Sequence, residues 1–236
     1  MYRIVCAKWG DLYTDDDVNA LYEDIKANCS IDFRWTFECF TEFPQHLEEY
    51  KQKHYRATIQ PDYRFDAIQN GYHRDDFGGI PHYRKLCLFD LDKKFDANDT
   101  IIYLDLDSRI NGDLTYFFKL NNDKPYLNWN YWWEDQPETW KRQYHITRHP
   151  LFNSSVMVWK PGQNKVIYDF LERNADKCFF TYPSMDTFLF HQFGPYGKDH
   201  FNYYESGIIT SHRISSKKRG IVHMLEGLST EEKLCI

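Results

Sequence analysis

Two carboxylates stand close together at the end of an apolar run, and they are the clearest sign of chemistry in this chain. Residues 101–107 read Ile-Ile-Tyr-Leu-Asp-Leu-Asp, so Asp105 and Asp107 are two positions apart. On an extended strand such side chains share a face, and two facing acids repel unless a cation lies between them. The pattern predicts a divalent metal, Mn²⁺ or Mg²⁺, held together with a substrate phosphate. The alternative is a strand that ends in a turn, where aspartate only satisfies backbone N–H groups.

The elements around this pair follow the pattern of an α/β domain. Strand and helix signals alternate along the chain, which favours a mixed, mainly parallel central sheet flanked by helices. Strands are predicted at 2–7, 33–40, 101–107, 125–129, 152–159 and 207–211. Helices are predicted after Thr14, at 81–91, after 112–113, at 165–173 and at 184–192. Ligands bind such sheets at the carboxyl ends of the parallel strands, where the Asp-x-Asp pair lies.

Length and composition limit the class of protein. The chain has 236 residues and 42% hydrophobic residues, which predicts one folded domain over residues 1–236. It has neither a run of about 18 apolar residues nor a typical signal peptide, so we expect a cytoplasmic protein without a transmembrane segment. Its six cysteines are scattered without a Cys-x-x-Cys spacing. They are expected to be buried free thiols.

The charged and aromatic residues suggest which ligands to expect. A net charge of −6 argues against nucleic acid or an anionic membrane as partner. The basic run at 213–219 is either a solvated loop or a clamp for a diphosphate. Asp15, Asp16 and Asp17 are interpreted as the start of a helix rather than a metal site. The aromatic stretch at 129–133 is either a sugar-stacking wall or a hydrophobic patch for a partner.

Several segments resemble small GT-A-fold glycosyltransferases, the Rossmann-like nucleotide-diphospho-sugar transferases of viruses and bacteria. The likeness covers nearly the whole chain, and its segments come in the expected order. They are Lys8-Trp9-Gly10 with Tyr13, 101–107 with 111–114, Phe152-Asn153-Ser154-Ser155-Val156-Met157, 184–189 and Ile221-Val222-His223. Two positions depart from the pattern. No Gly-x-x-Lys-Pro stretch follows His223, and Thr187 stands where relatives often carry Gln.

The resemblance implies a metal-dependent transfer of a sugar from a nucleotide-diphosphate donor, UDP first and GDP second. The acceptor would be a glycan, a lipid-linked sugar or a protein. Asp105, Asp107 and His223 would hold the metal, and Asp186 would act with Asp107 in catalysis by contacting the acceptor hydroxyl or serving as its base. The donor would be bound by Lys8, Trp9, Tyr13, Arg84, Lys85, Asp105, Leu106, Asn153, Ser154, Lys217 and Lys218.

Each of these roles has a simpler alternative. His223 is also explained as a core histidine, Trp9 as a packing residue and Asp186 as a helix N-cap. Arg84 and Lys85 are also explained as solvent-facing residues. For the whole protein, one alternative is a phosphatase of the haloacid dehalogenase type, although Arg109 stands where that family has Thr or Val. The other is a carbohydrate- or nucleotide-binding module without catalysis.

Overall fold

The computed structural model describes residues 1–8, 12–30, 32–41, 58–61, 84–90, 94–131, 151–182, 184–195, 197–212 and 220–225. Its strands are β1 Tyr2–Lys8, β2 Trp35–Thr41, β3 Thr58–Pro61, β4 Thr100–Leu104, β5 Ser108–Ile110, β6 Tyr126–Trp129, β7 Phe152–Trp159, β8 Asn202–Tyr203, β9 Ile209–Ser211 and β10 Val222–Met224. Its α-helices are α1 Asp15–Asn28, α2 Thr115–Phe118, α3 Lys165–Thr181 and α4 Met185–Phe193, and a 3₁₀ helix spans Arg84–Asp90.

These elements belong to two compact units. The first, which we call the Asp-x-Asp unit, is built from residues 2–61, 102–120 and 204–236. The second, the Asp186 unit, is built from residue 1 with 62–101 and 121–203. The expectation of a single domain stays a prediction.

Parallel strands form the core of the Asp-x-Asp unit. Its main strands lie in the order β3-β2-β1-β4, and β1 with β2 and β2 with β3 pair in parallel. All five residues of β4 are buried, as in a strand that is covered on both faces. Helix α1 buries Val18, Leu21 and Ile25, because this spacing places them on one face.

A smaller sheet in the same unit has the order β5-β10-β9. Strand β10 pairs antiparallel with β5 and parallel with β9. The pairing places His223 beside Arg109 on one side and Thr210 on the other. The antiparallel pairing thereby brings His223, from late in the sequence, next to β5, the strand that directly follows Asp107.

The Asp186 unit has an aromatic core. Its strands lie in the order β7-β6-β8, with β6 antiparallel to β7 and parallel to β8. Phe152, Phe190 and Phe193 are at most 1% exposed, and the rings of Phe152 and Phe190 meet edge to face at 5.1 Å. Such contacts contribute beyond the apolar area they bury.

The structure confirms the mixed α/β class and corrects several element bounds. The strand 152–159 and the helix that begins after Thr14 are as predicted. The helix predicted at 165–173 continues to Thr181, past a break in helical geometry at Asn174. Within the described residues, the helix predicted at 81–91 is a 3₁₀ helix. No helix of the described chain is long and apolar enough to cross a membrane.

Candidate functional site

The two aspartates lie in a turn at the carboxyl end of β4. The strand ends at Leu104, and the Ser108 N–H closes the turn by donating a 3.1 Å hydrogen bond to the Asp105 carbonyl oxygen. The prediction that both carboxylates share a face of an extended strand is therefore wrong, because the backbone turns between them. Leu106 is 6% exposed, whereas both aspartates are half-buried. The leucine side chain thus anchors the turn in the core.

A tyrosine hydroxyl holds each carboxylate of the turn. The Tyr103 hydroxyl donates a 2.5 Å hydrogen bond to Asp105 Oδ1, and the Tyr13 hydroxyl is hydrogen-bonded to the Asp107 side chain. Burial, with the Asp105 charge as second cause, raises the pKa of Tyr103 well above its ordinary value. Burial, followed by the charges of both aspartates, likewise raises the pKa of Tyr13. Both phenols therefore stay neutral donors at physiological pH and orient the carboxylates.

The late histidine lies on β10 next to this turn. The Leu225 N–H donates a 2.7 Å hydrogen bond to the Asp107 carbonyl oxygen, which continues the pairing of β10 toward the aspartates. His223 is 2% exposed, and its Nδ1 lies 2.8 Å from Thr210 Oγ1. The His212 ring stands edge-on to it at 6.1 Å. The burial of His223 agrees with the role of a core histidine. The contact with Thr210 also agrees with the role of a metal ligand whose ring is held in one orientation.

Lys8 forms an ion pair at the end of β1. Its side chain is 9% exposed, and its Nζ lies 3.4 Å from Asp15 Oδ1. Asp15 is the first residue of α1, where the helix dipole favours a carboxylate. The Thr14 N–H donates a 2.7 Å hydrogen bond to Asp17, so the acidic run is a helix start, as predicted. Lys8 therefore links β1 to α1 through this ion pair, and its role in donor binding stays a prediction.

The predicted metal ligands are not gathered into a closed site. Among the residues that the structure describes, no three His, Cys, Asp or Glu side chains are grouped so that they could hold a metal ion. Asp105, Asp107 and His223 are instead each engaged by a hydroxyl group, those of Tyr103, Tyr13 and Thr210. The three-ligand set stays a prediction.

The Asp186 unit brings three predicted residues together. Asp186 is the second residue of α4, and its Oδ1 accepts a 3.1 Å hydrogen bond from the Ser154 N–H. Asn153, one position earlier on β7, accepts a 2.9 Å hydrogen bond from the Ser155 N–H through its side-chain oxygen. Asn153 and Ser154 are 8% and 3% exposed. Strand β7 and helix α4 thus hold a polar cluster within an aromatic core.

Ser184, not Asp186, caps helix α4. Its side chain accepts a 3.2 Å hydrogen bond from the Thr187 N–H, as an N-cap residue does. The N-cap alternative for Asp186 is therefore wrong. Its carboxylate bonds a neighbouring strand instead.

The remaining candidates are described in part. Lys85 is 5% exposed in the 3₁₀ helix, so the solvent-facing alternative is wrong for it. Arg84 opens that helix, and its side chain lies outside the described residues. Trp9, Lys217 and Lys218, with the rest of the basic run at 213–219, also lie outside them.

Trp129 is a packing residue of the Asp186 unit. Its ring meets those of Tyr203 at 5.1 Å and Phe152 at 5.8 Å, both edge to face. This favours a structural role for the residue over the predicted sugar-stacking wall. Trp132 and Trp133, which belong to the same predicted stretch, lie outside the described part of the chain.

Sequence interpretation missed Tyr103 and Thr210. Tyr103 could have been inferred from the sequence, because it precedes Asp105 by two positions. The two side chains meet at the end of the strand. No local pattern marks Thr210. It meets His223 only because β9 and β10 pair.

Comparisons with known sequences give no relative. No family model matches the chain, and no curated protein sequence is similar to it.

Comparisons with solved structures give many similar folds. A galactosyltransferase, LgtC, in complex with donor and acceptor sugar analogues matches with a TM-score of 0.61 at 14% identity, over 95% of this chain and 87% of that one. Mouse xyloside xylosyltransferase 1 matches at 0.59 and 12% identity, over 96% and 98%. A glycosyltransferase involved in glycosylation of the major capsid of PBCV-1 matches at 0.55 and 12% identity, over 98% and 96%. The chain therefore has the GT-A fold of these glycosyltransferases.

Proposed function

We propose that this chain is a metal-dependent glycosyltransferase that moves a sugar from a nucleotide-diphosphate donor to an acceptor hydroxyl. The observation that carries the proposal is the Asp105–Asp107 turn, which presents two hydroxyl-held carboxylates at the carboxyl end of β4. Ligands of α/β sheets bind at this edge. Solved structures of similar fold are named as sugar transferases, which supports the same reaction class.

The donor set of the turn fits Mn²⁺ or Mg²⁺. These ions prefer oxygen ligands and are commonly held by one or two protein carboxylates, with substrate phosphates and water completing the shell. Asp105 and Asp107 meet this requirement without a closed protein site, and His223 on β10 is the proposed nitrogen ligand. When bound, the metal would balance the negative charge that develops on the leaving nucleoside diphosphate.

The chain's own residues orient the donor in this proposal. Tyr103 and Tyr13 keep the two carboxylates in place, so these groups need little reorganisation when the donor binds. Lys8, Trp9 and Tyr13 are proposed to line the pocket for the base and ribose. Further contacts to the diphosphate and the donor sugar are assigned to Arg84, Lys85, Leu106, Lys217 and Lys218.

In the Asp186 unit, the proposal concerns the sugar and the acceptor. Asn153 and Ser154 would bind hydroxyls of the donor sugar. Asp186 would receive the hydrogen bond of the acceptor hydroxyl and take its proton during transfer. The Ser154 N–H, 3.1 Å from Asp186 Oδ1, keeps that carboxylate in one orientation.

A thermal-shift screen tests this proposal. UDP, GDP, CDP and ADP are each added with and without Mn²⁺ to the wild type, to Asp107→Asn and to Asp186→Asn. A ligand at about 100 times its dissociation constant should add roughly 2.7 kcal/mol to the free energy of unfolding. We expect one nucleotide, UDP first and GDP second, to stabilise the wild type and Asp186→Asn only with Mn²⁺, and Asp107→Asn not at all.

Two outcomes contradict the proposal. One is that no nucleotide shifts the protein, and the other is a shift that needs neither metal nor Asp107. Release of nucleoside diphosphate from the matching sugar donor then separates the enzyme from a binding module of the same fold, which would bind without turnover.

A further inference from the structure

Strand β7 has a bulge in its pairing with β6. Where β6 advances from Leu127 to Asn128, the paired residue on β7 changes from Met157 to Asn153. Residues 154–156 therefore stand outside the register with β6, and we call them the β7 bulge. Bulges bend a strand and re-aim its groups, and they are common next to active sites.

Two backbone N–H groups of the β7 bulge are bonded to side chains. The Ser154 N–H donates to Asp186 Oδ1 at 3.1 Å, and the Ser155 N–H donates to Asn153 Oδ1 at 2.9 Å. Both serines are buried, and a buried N–H group needs an acceptor. The direction of the Ser154 N–H therefore decides where the Asp186 carboxylate is held.

Two asparagine side chains fix the strand just before the bulge. The Asn130 side-chain nitrogen donates to the Phe152 carbonyl oxygen at 3.1 Å, and the Asn130 N–H donates to the Leu151 carbonyl oxygen at 2.7 Å. Because a carbonyl oxygen can only accept, the nitrogen of the Asn130 amide must face Phe152. Its oxygen then faces Asn128, whose side-chain nitrogen donates to it at 3.3 Å.

This chain of amides lies inside the core. Asn128 and Asn130 are both buried, and a buried amide is costly unless it is hydrogen-bonded. The Phe152 carbonyl belongs to the peptide group that leads into Asn153, and Asn153 is paired with Asn128. The two asparagines thus fix the last peptide group before the β7 bulge.

Helix α4 packs on the same residue. The Phe152 ring meets Phe190 of α4 edge to face at 5.1 Å. A Cβ on Gly194, the residue that ends α4, would lie 3.0 Å from the Phe152 ring. The helix therefore approaches β7 closely at Phe152, and its first turn brings Asp186 to the bulge.

We propose that Asn128 and Asn130 are positioning residues for Asp186. They act through the bulge, because they fix the Phe152 carbonyl and thereby the direction in which the Ser154 N–H points. The inference deepens the proposed function and rests on it for the role of Asp186 as the base. Displacing a reacting group by 1 Å can lower a rate by roughly 10²-fold, so a small shift of the bulge should be measurable.

The NMR shift of the Ser154 amide proton tests the inference in the protein without ligands. An N–H bonded to a carboxylate resonates at lower field than one bonded to a neutral group, since the charge-assisted bond is shorter and stronger. We expect Asp186→Asn to move this proton upfield. Asn130→Leu should also move it upfield, because the Phe152 carbonyl loses its donor.

Asn128→Leu is the milder variant, because Asn130 keeps its own hydrogen bonds to β7. It should move the Ser154 proton in the same direction by less. Asn121→Leu is the matched control, since Asn121 is an exposed asparagine of the same unit, and it should leave the proton unmoved.

Three results would overturn the inference. One is a Ser154 proton that does not respond to Asp186→Asn, and another is one that does not respond to Asn128→Leu or Asn130→Leu. The third is measured in the wild type, where the side-chain N–H₂ protons of Asn128 and Asn130 should exchange slowly with solvent. Fast exchange would show that the amide chain is not kept.

Kinetics separate positioning from a general loss of structure. Asn128→Leu should lower the rate of sugar transfer by up to roughly 10²-fold and leave the affinity for nucleotide with Mn²⁺ unchanged. A matching loss of nucleotide affinity would contradict the positioning role. The Ser154 proton tests this inference without a donor, and loss of nucleotide binding in Asp107→Asn tests the proposed function, so the two can fail separately.

Discussion

The two units hold their candidate site residues with different partners. In the Asp-x-Asp unit, hydroxyl groups orient Asp105, Asp107 and His223. In the Asp186 unit, backbone N–H groups bond Asp186 and Asn153. A hydroxyl can turn between donor and acceptor, whereas a backbone N–H donates in one fixed direction. A single substitution can therefore remove a hydroxyl partner in the first unit, whereas the backbone partners of the second unit remain when a side chain is changed.

The largest expected effect is the loss of sugar transfer when a candidate acid is changed in either unit. Asp107→Asn and Asp186→Asn should each lower the rate of sugar transfer by roughly 10²–10³-fold, the usual cost of a lost charge-stabilising group. They should differ in binding, because only Asp107 is assigned to the metal. Isothermal titration with the nucleoside diphosphate and Mn²⁺ checks this. If Asp186→Asn also loses nucleotide binding, the comparison of the units is wrong.

A second prediction concerns the aromatic core of the Asp186 unit. Phe152 is 1% exposed, and its ring contacts Phe190 and Tyr203. Phe152→Ala should lower the free energy of unfolding by about 3–5 kcal/mol, since it removes apolar contacts and leaves a cavity. Urea denaturation measures the change. Val166→Ala, at a position 40% exposed, is the control and should stay within about 0.5 kcal/mol.

Much of this architecture could be predicted from local patterns. Strand β7 was found residue for residue, and the acidic run before Val18 was correctly interpreted as a helix start. The end of β4 was not, because an alternating pattern does not show where strand pairing stops. Strands β5 and β10 have three residues each, too few for a periodic signal.

The sequence indicates the acidic residues of the candidate site, but it does not indicate the groups that hydrogen-bond to them. Residue type and spacing single out Asp105 and Asp107 as candidates, and Asp186 is a candidate through the segment at 184–189 that resembles the transferases. Their partners follow from geometry that the sequence does not display, since the Ser154 N–H meets Asp186 only through the packing of β7 against α4. Thr210 likewise depends on the pairing of β9 with β10.

A pair of tyrosine variants sharpens the comparison of the units. The Tyr103 hydroxyl bonds a carboxylate, so Tyr103→Phe should lower the free energy of unfolding by about 1.5–3 kcal/mol. The Tyr203 hydroxyl is buried without a hydrogen-bond partner among the described residues. Tyr203→Phe should therefore be neutral or raise stability by about 1 kcal/mol. Urea denaturation at neutral pH measures both, and equal losses in the two variants would contradict the assignment.

The same Tyr203 hydroxyl predicts a pH dependence. Burial raises the pKa of Tyr203 from 10.0 to about 12, with a smaller contribution from the Asp199 charge. Because the folded pKa exceeds the unfolded one, Tyr203 costs the fold no stability by ionisation below pH 10.0, and it destabilises the folded state increasingly as the pH rises toward about 12. Tyr203→Phe should therefore unfold at higher pH in an alkaline titration followed by circular dichroism. Tyr126→Phe on the adjacent strand is the control, and identical midpoints for Tyr203→Phe and the wild type would reject the prediction.

The smallest effect concerns the helix start that positions Asp186. Ser184 Oγ accepts the Thr187 N–H at 3.2 Å and lies 3.0 Å from the Thr187 hydroxyl, so Ser184→Ala should cost about 1 kcal/mol of stability. At the start of α1, Thr14→Ala should cost less, because the Thr14 N–H keeps its 2.7 Å hydrogen bond to Asp17.

The two caps should also differ in their effect on transfer. Since Asp186 lies in the first turn that Ser184 caps, Ser184→Ala should slow sugar transfer while nucleotide binding stays unchanged, and Ser184→Thr should restore it. Thr14 precedes Asp15 of the Lys8–Asp15 ion pair, so Thr14→Ala should weaken nucleotide binding. Steady-state kinetics and nucleotide titration on the same variants measure both, and a transfer defect in Thr14→Ala without one in Ser184→Ala would reverse the assignment of the units.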